Sequence, residues 1–116
     1  MRFGLKENTI AQINTVFAQY PQVESVILYG SRAKGNYKPG SDIDLTLVGD
    51  DVDLPLVHKI ELDLDDLFLP YTIELSAYRH LSNPDLLDHI DRVGQLFYQA
   101  VPPDAEIKTA SDQGGV

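Results

Sequence analysis

The stretch YGSRAKGNYKPGSDIDLTLV, residues 29–48, decides how this chain folds. From 42 to 48 it alternates like a half-buried strand, with Asp42, Asp44 and Thr46 on one face and Ile43, Leu45 and Leu47 on the other. Carboxylates are seldom placed inside a strand without a charged partner. Two residues apart they point the same way, with Cα atoms about 6.6–7 Å apart at ~3.3 Å per residue. Metal ions can sit between such a pair, and in-line phosphoryl transfer uses two of them ~3.5–4 Å apart. The plainer alternative is an edge strand with one wet face.

Flanking residues favour the metal reading. Upstream, Gly30-Ser31 ends a β-rich run over 23–29 at a turn, where N–H groups and a hydroxyl can take phosphate oxygens. Downstream, 71–77 alternates again, with Thr72, Glu74 and Ser76 opposite Ile73, Leu75 and Ala77, so Glu74 offers a third carboxylate. Three acids without a base repel one another, and bound cations relieve that cost.

The other Asp-x-Asp pairs read differently. Asp51 and Asp53 follow Gly49 and precede a helical pattern, where acids cap the helix and suit its dipole. Asp63, Asp65 and Asp66 lie on that helix as a solvated face. Residues 30–35 match the glycine spacing of a P-loop, but Asn36-Tyr37 stands where Lys and Ser/Thr are required. His58, His80 and His89 show no metal-ligand spacing and read as surface or partly packed.

With 116 residues, 43% of them hydrophobic, the chain suits one globular domain over 1–101, followed by a mobile tail over 102–116. The net charge of −9 and the scatter of basic residues, with only Arg32, Lys34 and Lys38 close together, argue against stand-alone binding to nucleic acid. A nucleotide held through divalent cations remains compatible. The longest apolar run, 26–29, cannot span a membrane, and MRFGLKENTI lacks the apolar stretch of a signal peptide. Without cysteine there is neither disulfide nor thiolate site. These features predict a cytoplasmic protein.

Ile10, Ile13, Val16, Phe17 and Tyr20 predict a helix over 7–20, closed by Pro21. Strands follow over 23–29 and 42–48, separated by a helical turn over 31–34 and a turn over 36–41. Asp53 caps a helix over 54–68, and 71–77 is the third strand. Asn83-Pro84 opens a last helix that Leu86, Leu87, Ile90, Val93 and Phe97 carry to about residue 100. This α-β-β-α-β-α order predicts an α/β (α+β) domain, a small mixed sheet flanked by helices.

GSRAKGNYKPGSDIDL resembles the signature of the DNA polymerase β-like nucleotidyltransferase superfamily, Gly-Ser, ten residues, then Asp-x-Asp. The second glycine, Gly35, agrees as well. LPYTIEL and NPDLLDHIDRVGQLFY look like the minimal nucleotidyltransferases, single-domain proteins commonly encoded beside a HEPN-domain RNase toxin. The resemblance spans 23–98. It implies that Gly30 and Ser31 hold the β- and γ-phosphates of ATP, and that Asp42 and Asp44 coordinate two Mg²⁺ ions. Glu74 falls where most relatives have the third acid as Asp. Arg32 and Lys34 contact phosphates or serve solubility and local ion pairing.

The implied function is an antitoxin that moves AMP from Mg-ATP to a hydroxyl, a tyrosine, of a HEPN partner. A module that masks its toxin by contact, with a vestigial nucleotide site, is the alternative that Glu74 keeps open. A subunit of an antibiotic adenylyltransferase ranks third, because the extra helical domain of such relatives has no counterpart in this sequence.

Overall fold

The apolar stripe near the start folds as α1 (Glu7–Ala18), burying Ile10, Ile13, Val16 and Phe17. Next come β1 (Ser25–Tyr29), a one-turn α2 (Ser31–Lys34), β2 (Ile43–Val48), α3 (Leu54–Asp65) and β3 (Ile73–Ala77). A 3₁₀ turn (Tyr78–His80), α4 (Pro84–Val93) and β4 (Gln95–Gln99) follow. The structure, a computed structural model, describes residues 1–101, so the tail expected over 102–116 lies outside the described residues. Among the described residues, no helix is long and apolar enough to cross a membrane.

Among the described residues, four strands run in the order β3-β2-β1-β4. β1 is antiparallel to both β2 and β4, while β2 and β3 are parallel and joined through α3, as a parallel pair requires. A small mixed sheet flanked by helices is therefore the observed fold class, as the sequence predicts.

Strand register divides the sheet into two chemically distinct faces. Val26 opposes Leu47 and Leu28 opposes Leu45. With Ile43 they are fully buried, in one core cluster with the apolar stripes of α1 and α3. Each such aliphatic contributes about 1.5–3 kcal/mol of burial free energy. On the other face Tyr29 opposes Asp44, Asp44 pairs with Glu74, and Thr46 pairs with Ser76. The expected alternation of 42–48 is thus present, with Asp42 just before β2 begins.

The helix starts behave as expected. Asp53 Oδ1 accepts the Leu56 N–H at 2.9 Å and caps α3. Asn83 Oδ1 accepts the N–H groups of Asp85 at 2.9 Å and Leu86 at 3.3 Å, with Pro84 in the first turn of α4.

The last element corrects the sequence reading. The predicted helix to about residue 100 stops at Val93, and Gln95–Gln99 forms β4 beside β1. Phe97 continues the helical spacing by coincidence. Gly94 ends the helix at a point where a Cβ would come within 2.8 Å of Ile27 Cγ2, so the chain lies against the sheet and turns into it. The run QLFYQ then finds its backbone partners along β1, and Phe97 is buried from the sheet instead of from a helix. Two helices also end earlier than the sequence predicts, α1 at Ala18 and α3 at Asp65.

Candidate active site

The site grows out of one close contact. Gly30, with φ 76° and ψ −158°, lies in a region essentially reserved for glycine. A Cβ there would collide with Asp44 Oδ2, so Asp44 rests its carboxylate directly on the turn that follows β1. The Gly-Ser turn and the Asp-x-Asp strand, apart in sequence, are one unit in space. Ser31 opens α2 beside them, half-buried, while Lys34 is exposed at its end.

Asp44 sits in an unfavourable field. Burial raises its carboxyl above the ordinary range, and the carboxylates of Glu74 and then Asp42 push it further. Tyr29 shares the same face. Burial raises its phenol, Ser76 works against that, and Asp44 and Glu74 add to it. Further along the face, Ser76 Oγ donates to Thr46 Oγ1 at 2.9 Å.

Asp42 and Glu74 are exposed on either side of half-buried Asp44. Register brings Glu74 beside Asp44, but among the described residues no three acidic or imidazole side chains stand close enough to hold a metal ion. A cation here would take its remaining oxygens from a bound phosphate, which is how Mg²⁺ is usually held. The acceptor-only chemistry of the pair and its unrelieved repulsion fit such a cation.

The structure separates Arg32 from Lys34. Arg32 is only 2% exposed, at a position where the sequence leaves phosphate contact and solubility or local ion pairing as alternatives. Its guanidinium donates to the carbonyl oxygens of Phe3 at 2.8 Å, Pro39 at 3.2 Å and Ser41 at 2.8 Å, and lies over the rings of Tyr37 and Tyr71. It clamps the 36–41 turn to the N-terminal segment and fixes the residue immediately before Asp42. Its donors are well matched in a buried network that holds the backbone next to Asp42.

The sequence reads His89 as a surface or partly packed residue, and the structure leaves it half-buried. It lies on α4 with its ring edge-to-face on Tyr29, centroids 6.2 Å apart, and its Nε2 accepts the Gly30 N–H at 3.0 Å. Nothing in its local spacing signals this, because the partners lie 59 residues away.

Known proteins agree with this architecture. Residues 11–101 match the family model described as polymerase beta, nucleotidyltransferase. Curated protein sequences contain no match. A chain of a toxin–antitoxin crystal structure with AMP-PNP superposes with a TM-score of 0.63 at 23% identity, covering 96% of this chain and 89% of that one. A chain from the complex of a tri-AMPylated Shewanella oneidensis HEPN toxin with its MNT antitoxin gives 0.61 at 18% identity, covering 96% and 88%. A chain of the MntA-HepT toxin–antitoxin structure gives 0.60 at 18%, covering 95% and 88%. The structural likenesses establish a shared fold, and the family match extends over most of the chain. The protein belongs to the polymerase beta nucleotidyltransferase family.

Proposed function

We propose that this nucleotidyltransferase is an antitoxin that transfers AMP from Mg-ATP to a tyrosine hydroxyl of a HEPN-type toxin in the cytoplasm. The observation that carries the reading is the packing of Asp44 against Gly30, which ties a carboxylate pair to a Gly-Ser turn in a fold of this family. The solved structures of similar fold include a toxin–antitoxin pair with AMP-PNP and a tri-AMPylated HEPN toxin with its antitoxin. They suggest both the nucleotide and the partner.

In this reading Ser31 and the Gly30–Ser31 backbone receive the β- and γ-phosphates. Asp42 and Asp44 would hold Mg²⁺, which supplies neutralisation of the triphosphate charge when bound. Glu74, exposed and adjacent to Asp44, accepts the acceptor hydroxyl's proton. The hydroxyl oxygen bonds to the α-phosphorus, the α–β phosphoanhydride bond breaks, and pyrophosphate departs with that electron pair. AMP stays on the acceptor. The additional methylene of Glu74, compared with Asp, lets it reach from an exposed strand position.

Intact mass of the co-purified partner, with and without Mg-ATP, tests the proposal. A gain of whole AMP units with wild type and none with Asp42→Asn/Asp44→Asn is the expected result. A stable complex without mass gain would replace the transferase reading by masking through contact.

A further inference from the structure

A glycine at the hinge of a binding turn has no side chain with which to hold itself, so its peptide must be held from outside. Gly30 is held on both sides. Its carbonyl accepts the Lys34 N–H at 3.1 Å, and its N–H donates to His89 Nε2 at 3.0 Å. That second bond requires the Nε2 lone pair and places the ring proton on Nδ1. The imidazole is itself fixed. Its ring meets Tyr29 edge-on at 81°, and α4 is anchored by the Asn83 cap at one end and by the close approach of Gly94 to Ile27 at the other.

We propose that His89 is a positioning residue of the nucleotide site: by accepting the Gly30 N–H it sets the orientation of the Gly30–Ser31 peptide, against which Asp44 and the nucleotide phosphates are both placed. The inference rests on the nucleotidyltransferase reading of this site. It also revises the roles in the turn. With the Gly30 N–H occupied by the imidazole, phosphate contact falls to the Ser31 N–H and hydroxyl, and Gly30 shapes the turn instead of binding. Packing alone against Tyr29 is the competing explanation, and it predicts a different response to substitution. Phenylalanine keeps the ring and the Tyr29 contact but has no acceptor. Glutamine loses the ring but can present an amide oxygen near the Nε2 position.

The test is calorimetric titration of the full chain with Mg-AMP-PNP for wild type, His89→Phe and His89→Gln. Thermal melts and the NMR exchange rate of the Gly30 amide are measured on the same samples. The expected outcome is about tenfold weaker binding for His89→Phe, the size of one lost hydrogen bond. Gly30 amide exchange should be faster in that variant, and both effects largely restored in His89→Gln. In a transfer assay the loss should fall on KM more than on kcat. Unchanged binding in His89→Phe overturns the proposal, and so does an equal loss in both variants, which marks packing. Should His89→Phe not fold, His89→Ala with the same amide and titration readouts takes its place. Wild type that binds no Mg-AMP-PNP overturns the nucleotidyltransferase reading and this proposal with it, whereas wild-type binding with an indifferent His89→Phe removes this proposal alone.

Discussion

Two segments of this chain share one pattern, Asp42-Ile43-Asp44 and Asp51-Val52-Asp53, and do opposite things with it. In both, the aliphatic residue between the acids is fully buried. At the second segment Asp53 Oδ1 accepts the Leu56 N–H at 2.9 Å and meets the positive end of α3. At the first, Asp44 meets other carboxylates, and burial together with Glu74 and Asp42 raises its pKa. Local pattern fixes which way the acids point. A partner brought from elsewhere decides whether their charge is satisfied, and only the unsatisfied pair has the electrostatics that the proposed cation would relieve.

The largest expected effect separates the pairs by chemistry. On the proposed function, Asp44→Asn should lower AMP transfer roughly a thousandfold, about 4 kcal/mol of transition-state stabilisation, because it removes the charge proposed to hold Mg²⁺. Asp53→Asn should leave the transfer rate within about twofold, since an asparagine cap serves almost as well. Quenched-flow or endpoint mass assays on purified variants read both. Comparable losses in the two variants would erase the functional distinction.

The next effect concerns what holds the first pair in place. Arg32→Met removes a buried guanidinium and leaves the Phe3, Pro39 and Ser41 carbonyls without their donor. We expect about 3 kcal/mol of lost stability in urea unfolding. Lysine should recover only part, since one ammonium cannot reproduce the planar fork. Lys34→Met, at an exposed position, should change stability by less than about 0.5 kcal/mol. A mild Arg32 variant would show that the 36–41 turn is held by other contacts.

The contrast between Arg32 and Lys34 also marks where sequence reasoning reached its limit. Both looked alike from the sequence, two bases beside a glycine turn, and only the folded chain encloses one between Tyr37 and Tyr71. His89 escaped for the same reason. What was legible was local: the alternation of β2, the Asp53 cap, the Asn83-Pro84 start of α4, and the Gly-Ser to Asp-x-Asp spacing. β4 was lost because Phe97 keeps helical register with Val93, while the β1 backbone that recruits it is distant in sequence. Gly94 carried the missing signal, a helix stop followed by a β-prone run.

At the second pair, Asp53→Ala should cost about 1 kcal/mol in chemical unfolding, the usual worth of an N-cap, with its effect confined to α3 in amide exchange. An unchanged midpoint would mean that Pro55 and the buried Leu56 hold the helix start without the cap.

The last effect has the opposite sign and comes from the first pair. Folded Asp44 binds its proton more tightly than an unfolded aspartate, whose reference value is 3.8. Deprotonation therefore costs stability as pH rises from that value through the raised folded pKa, and the full cost persists above it. Asp44→Asn escapes the cost. It should be more stable than wild type at pH 7 by about 0.5 kcal/mol, a figure kept small because the carboxylate is only half-buried and screened by solvent. The advantage should vanish below about pH 4. On the proposed function, saturating Mg-ATP should reverse the order, because a ligand bound by the wild type and not by the variant stabilises the wild type by mass action. Melting curves at both pH values, with and without the nucleotide, resolve the sign. If Asp44→Asn is destabilised at pH 7 without ligand, the repulsion between the acids is already relieved within the fold, and the contrast with Asp53 loses its electrostatic basis.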